Sequence, residues 1–182
     1  MKFLSFILLN GIFILYSCKD KDRFAGKIKS LDSLQLEIER KITDFSTLDT
    51  AKLNASLLEY YSNIKLLSDS LKDTLSMDYL QTLNQYKSCE APLQFLAENY
   101  RSILNESLLS KVQLKKLSTD LKNDAIEDEL VFEYYSIEKN EAEKMSAVLS
   151  SNFKLAKSTS DTFVKYNKKI QQLIHAIETQ TP

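Results

Sequence analysis

The chain has 182 residues, with 24 Lys and Arg against 25 Asp and Glu, a net charge of −1. That balance gives no electrostatic footprint for nucleic acid, and 43% apolar content supports a folded core rather than disorder. Only two glycines are present, Gly11 and Gly26. They cannot build a glycine-rich phosphate loop or a dinucleotide fingerprint, and beyond the apolar N-terminal stretch that holds Gly11 the Asn-Gly and Asp-Gly turns that sheets favour are missing. The remaining fold class is all-α.

Residues 1–18 read MKFLSFILLNGIFILYSC. Lys2 supplies a short positive end, and Phe3 to Tyr16 is an apolar run broken by Ser5 and Asn10-Gly11. Those 14 residues are too short for an ordinary membrane span, which needs roughly 20; with these flanks the run reads as an export signal. Leu15-Tyr16-Ser17-Cys18 places an aliphatic residue at −3, a small one at −1 and a cysteine at the boundary. This resembles the lipobox of bacterial lipoproteins, although Tyr16 is bulkier than usual there. The resemblance implies removal of residues 1–17, a diacylglyceryl thioether on Cys18 and an acylated amino group. Two or more acyl chains hold a protein stably to a bilayer where one does not. Residues 18–25 would then be a lipidated polar tether, and 26–182 the folded domain.

The first helical segment carries Ile28, Leu31, Ile38, Ile42 and Phe45 on one seam, with Gln35 as its polar member. Ser46 to Thr50 reads as a turn. The second segment follows Leu53, Leu57, Tyr60, Ile64, Leu67 and Leu71 in steps of three and four. Ser76 can cap a short third segment with Leu80, Leu83 and Tyr86 on its seam.

Pro92 is a breaker or a helix start, tolerated in a first turn where its missing N–H has no intrahelical partner. Beyond it Leu93, Leu96, Tyr100, Ile103, Ser107, Ser110, Leu114, Leu117 and Leu121 hold one seam. Asn123-Asp124 marks the next corner. Asn suits a left-handed helix end, and Asp124 to Glu127 has the spacing of a capping box.

The last segment keeps one register from Val131 through Ala142, Leu149, Ala156, Phe163 and Ile170 to Ile177. It predicts one helix over 126–178, about 80 Å long, continuous through Ser158-Thr159-Ser160-Asp161. Glu138, Asn152 and Thr159 are its polar seam members, the kind that fix register at some expense of stability. The whole reads as an antiparallel long-helix bundle with coiled-coil-like seams, and part of the last helix is expected to project beyond its neighbours as a partner surface unless the first helices cover it.

No catalytic set assembles. His175 is the only histidine, so neither the paired Glu-x-x-His units of di-iron bundles nor a His/Cys zinc cluster is available. Near a helix C-terminus it suits the dipole. Glu127-Asp128-Glu129 lacks the spacing and glycine of a calcium loop and reads as first-turn dipole partners. We therefore expect no catalytic residue, metal or cofactor. Cys89 is either a small buried hydrophobe or a thiol open to an intermolecular bond. Of the pairs Tyr60-Tyr61 and Tyr134-Tyr135, the seams take Tyr60 and Tyr135, leaving Tyr61 and Tyr134 as candidate interface residues.

Five of twelve Asp residues are followed by Ser or Thr and then an apolar residue. Asp32-Ser33-Leu34, Asp49-Thr50-Ala51, Asp69-Ser70-Leu71 and Asp73-Thr74-Leu75 resemble the O-glycosylation sequon of Bacteroidetes well; Asp161-Thr162-Phe163 departs at its third residue. The resemblance makes Ser33, Thr50, Ser70 and Thr74 candidate glycan acceptors. With the leader, Cys18, the sequons and Leu117-x-x-Asp120-Leu121-x-Asn123 through Glu138-Lys139, the chain resembles small helical lipoproteins of Bacteroidetes. Lys19-Asp20-Lys21-Asp22 is a diluted form of the acidic surface-export signal of that group, so the periplasmic or surface-facing side stays open. The resemblance implies a lipid anchor in the cell envelope, at the outer membrane, and no activity. The leading expectation is a non-enzymatic envelope lipoprotein that binds a protein partner. The alternative is a helical inhibitor or immunity lipoprotein that blocks a toxin or hydrolase.

Overall fold

The computed structural model describes residues 23–70 and 76–180; Cys18, Leu71 and Thr74 lie outside them. The described residues form five helices and no strand: α1 (Ala25–Ser46), α2 (Thr50–Ser70), α3 (Met77–Lys87), α4 (Glu90–Lys122) and α5 (Asp128–Gln180). The all-α bundle inferred from sequence is the observed fold.

The five helices act as three arms. α1 and α2 form the first, interrupted at 47–49; α3 and α4 form the second, interrupted at 88–89; α5 alone is the third. Across the first and second arms, Asp32 meets Ser118, Glu39 meets Lys111, Tyr60 meets Glu90 and Asn63 meets Tyr86. Each pair of numbers adds to 149 or 150, so these arms run antiparallel in one register through both interruptions. Between the first arm and α5 the partners Ser30–Tyr135, Lys41–Ser146 and Asn63–Asn167 keep an offset of 105, 105 and 104. α5 therefore runs parallel to the first arm and antiparallel to the second.

Each interruption has a local cause. At the end of α1, the Thr47 and Leu48 N–H groups donate to Asp44 and Phe45 carbonyls at 3.1 Å, and the Asp49 carboxylate then accepts from the Lys52 N–H at 2.9 Å. One helix is closed and the next opened within three residues. In the second arm Pro92 cannot donate to the Ser88 carbonyl, and its ring would clash there. The chain steps aside at Ser88-Cys89, and the ladder resumes with Leu93 N–H to Cys89 O at 3.0 Å. Ser76 caps α3 as expected, its Oγ accepting from Tyr79.

At the 123–127 corner the structure differs from the sequence reading. The left-handed residue is Asp124, at φ 51, and not Asn123. Ala125 N–H reaches Asp120 O at 2.9 Å and Asp124 N–H reaches Leu121 O at 3.4 Å, the bond pattern of a Schellman motif. Asp124 thus ends α4, and the proposed Asp124–Glu127 capping box gives way to a helix starting at Asp128. Asp124→Gly is expected to keep this corner, while Asp124→Val, β-branched in a left-handed position, lowers stability by about 1–2 kcal/mol; thermal melts of the two variants check this.

α5 is continuous over 53 residues, through 158–161, about 80 Å. Ala142, Leu149, Ala156, Phe163 and Ile170 recur every seventh residue and are buried, the repeat of a left-handed supercoil. The first helices cover this stretch, the condition under which no part of it projects. Leu31, Ile38 and Phe45 of α1 cover the first half of α5, and Leu53, Tyr60 and Leu67 of α2 cover the second. α4 crosses both halves, and Leu48 packs against both clusters at the interruption. On α3 the short seam is also shifted: Thr82 and Tyr86 are buried, whereas Leu80 is exposed.

Candidate functional site

The interior carries a polar layer. Asn63 Nδ2 donates to Asn167 Oδ1 at 2.9 Å and Tyr86 Oη at 3.1 Å, and the Tyr86 hydroxyl donates to the same Asn167 oxygen at 2.9 Å. Asn167 Nδ2 and Gln171 Nε2 donate outward to Glu59 Oε1 at 2.9 and 2.6 Å. All three arms are thereby joined at one level. Burial raises the Tyr86 phenol to about 12. The Tyr60 phenol is raised too, by burial first and then by its bond to Glu90. Both stay neutral donors over ordinary pH. Tyr60, Tyr86 and Phe163 pack ring against ring beside this layer, with centroids 5.1 and 5.5 Å apart.

The other half of the rod uses charge clamps at its edges. Asp32 accepts from Ser118 at 2.6 Å and Lys122 at 3.0 Å. Glu37 pairs with Lys41 at 2.8 Å and accepts from Ser146 at 2.6 Å; Lys41 also meets the Ser146 hydroxyl. Arg23 pairs with Asp128 where the first arm and α5 both begin. The Ser118 bond and then Lys122 hold Asp32 below its ordinary 3.8, and Lys41 with Ser146 holds Glu37 below its ordinary 4.5. Glu138 moves the opposite way, raised by burial first and then by Glu141.

The signs follow. Lowered carboxylates bind protons more weakly folded than unfolded, so their stabilisation is complete above their unfolded values and fades as pH falls through the folded ones. The raised Glu138 instead destabilises the fold when ionised and is relieved on acidification. Asp32→Asn with Glu37→Gln is therefore expected to flatten the loss of melting temperature below about pH 4.5. Glu138→Gln raises the melting temperature at neutral pH but not in acid. Melting curves from pH 7 to 3 check both.

Among the described residues, two of the surface grooves lie at the chain's corners. One, about 240 Å3, opens at the first-arm interruption beside Leu48, Leu53 and Phe153, with Lys52, Lys157 and Asp161 at its rim. The other, about 410 Å3, lies between α4 and α5 beside the 123–127 corner, lined by Lys116, Leu117, Tyr134, Ile137 and Glu138.

Among the residues singled out from sequence, Tyr60 is buried, and Tyr61 is exposed with its edge on the Tyr60 ring at 5.5 Å. Tyr135 is half-buried and donates to Ser30 at 3.0 Å, while exposed Tyr134 lines the α4–α5 groove. The two interface candidates do not converge: Tyr61 sits on α2 and Tyr134 at the start of α5. Ser33 is exposed on α1; Thr50 is half-buried as the first residue of α2. Ser70 ends α2, its side chain outside the described residues, as are Cys18 and Thr74. Cys89 is 1% exposed, with its thiol raised by burial, and His175 is exposed.

Among the described residues no group of His, Cys, Asp and Glu could hold a metal, and no helix is long and apolar enough to cross a membrane. No family model, curated protein or solved structure matches the chain. Sequence reasoning missed the Asn63–Asn167 layer. Asn63 sits between Tyr60 and Leu67 at steps of three and four, a polar seam position visible once Ile64 is not preferred for being apolar.

Proposed function

We propose that this chain is a lipid-anchored, non-enzymatic protein of the bacterial cell envelope that binds a protein partner along its helical rod. The observation that carries the reading is the Leu15-Tyr16-Ser17-Cys18 boundary after a short apolar leader. The anchoring route it suggests is two or more acyl chains on Cys18, which hold a protein stably at a bilayer surface. The fold is compatible with that reading in one respect: the first helix begins at Ala25, so Cys18 precedes the bundle by a few polar residues. Aromatic and apolar side chains left exposed on the arms, Tyr61 and Tyr134 among them, supply contact surface of the kind protein partners use. Outer-membrane placement, glycans on Ser33, Thr50, Ser70 or Thr74, and the absence of catalysis belong to the same proposal.

The test is fractionation of the full chain and its Cys18→Ala variant in a bacterial host. The parent is expected in membranes, released by detergent, and the variant is expected to shift to soluble fractions. An unchanged, detergent-dependent distribution of the variant contradicts the anchor.

A further inference from the structure

We infer that the groove at the first-arm interruption binds a free α-amino acid with an apolar side chain, its carboxylate between Lys52 and Lys157 and its ammonium on Asp161. The inference rests on the groove alone and is independent of the anchor at Cys18. Two departures from close packing meet at this level. The first arm breaks at 47–49, between α1 and α2. Partners between the first arm and α5 differ by 105 in number, which sets Ala156 level with the first turn of α2. In its seam Ala156 stands between Leu149 and Phe163, so side-chain volume is small where the backbone also steps aside. The space left is about 240 Å3, under the roughly 300–1,000 Å3 of sites for drug-sized ligands. It admits a body of about one side chain. Leu48, Leu53, Leu93 and Phe153 line it and supply the apolar floor such a body buries itself on.

The rim selects the head group. Lys52 and Lys157 also differ by 105 in number, so two cationic side chains stand at one level on opposite rims of the groove. Among the described residues neither forms an ion pair, and like charges so placed repel. A carboxylate between them accepts charge-assisted hydrogen bonds from both. Lys157 lies over the Phe153 ring, 4.5 Å from its centroid. Phe153 precedes it by one turn and Asp161 follows it by one turn, so Lys157 leans away from Asp161. Asp161 has no ion pair either among the described residues. It stands about 6 Å along the helix from Lys157. An α-amino acid carries both charges on one carbon, and a hydrogen bond of about 3 Å at each end lets it span that step. Asp49, the fourth charge on the lining, caps α2 by accepting from the Lys52 N–H at 2.9 Å. Two cations against two carboxylates leave the lining neutral. A simple anion would face Asp161 with no donor for it, and a simple cation would face both lysines. A zwitterion with an apolar body meets both signs and the floor together.

The experiment is equilibrium dialysis of the full chain against radiolabelled phenylalanine, in detergent where the chain is held in membranes, with a detergent-only chamber as the blank. Binding is expected to saturate with a Kd at or below about 1 mM. Unlabelled phenylpropionate lacks the ammonium, phenylethylamine lacks the carboxylate and glycine lacks the apolar body. Each is expected to compete at least about fivefold more weakly than unlabelled phenylalanine. Lys157→Met and Asp161→Asn, both at exposed positions, are expected to keep the parent melting curve and to weaken phenylalanine by about fivefold each. Asp161→Asn should bind phenylpropionate no more weakly than the parent does, since only the ammonium uses that carboxylate. Absence of saturable phenylalanine binding overturns the site. Competition by phenylpropionate as strong as by phenylalanine overturns the zwitterion. Phenylalanine binding unchanged in both variants puts the ligand elsewhere on the chain and overturns the assignment too.

Discussion

Tyr86→Ala is expected to lower stability by about 3–5 kcal/mol, the range for deleting a fully buried aromatic side chain. The ring is 0% exposed and packs against both Tyr60 and Phe163, so its loss leaves a cavity between all three arms. The hydroxyl is separable from the ring. Tyr86→Phe keeps the packing but removes a donor to Asn167 and an acceptor for Asn63. The two amides still hold each other at 2.9 Å, so the expected loss is smaller, about 1–2 kcal/mol. Chemical denaturation of both variants separates packing from polar pairing. Equal losses would mean that the polar layer, and not the ring cluster, dominates this end of the rod.

Thr159→Pro should be comparably damaging. Thr159 is 5% exposed at the middle of α5. Proline there deletes an N–H bond in the helix ladder and clashes with the carbonyl four residues earlier, about 3 kcal/mol or more. Thr159→Val, similar in shape, is the control and is expected to change stability far less. The proline variant should also divide unfolding into two steps, because the two apolar clusters are joined chiefly through α4 and the unbroken α5. A single transition with near-parent stability would show that α5 is already interrupted at 158–161.

The helices were legible because burial follows the seams closely. The seven-residue recurrence from Ala142 to Ile170 crosses the polar run at 158–161 without a slip, and continuity follows from that register alone. Pro92 was legible for a local reason, the missing N–H, and the turn read at 46–50 proves to hold a capping Asp49. The choice between Asn123 and Asp124 as the left-handed residue was not. Both side chains tolerate that conformation, and the outcome depends on which carbonyls the following N–H groups reach. The short α3 seam was misplaced at Leu80 because a helix of 11 residues gives too few seam positions to average out one apolar residue.

The three-arm architecture was harder to read than its parts. A seam says that a face is buried, not against which helix; the cover over the second half of α5 comes from α2, far away in sequence. The split within each tyrosine pair followed from the seams, so Tyr60 and Tyr135 went inward as their positions require. The α4–α5 groove was illegible, since Leu117 and Tyr134 become neighbours only through the turn at 123–127. The sequons and Cys18 are chemical patterns, and no side-chain packing among the described residues bears on Cys18.

The anchor is the claim on which the functional reading turns. Mass spectrometry of the N-terminal peptide, from full chain expressed in a bacterial host and extracted from its membranes, tests it most directly. The account predicts that Cys18 is the first residue and carries the mass of a diacylglyceryl group with an acylated amino terminus. A peptide that retains residues before Cys18, or begins elsewhere with an unmodified Cys18 thiol, would contradict it.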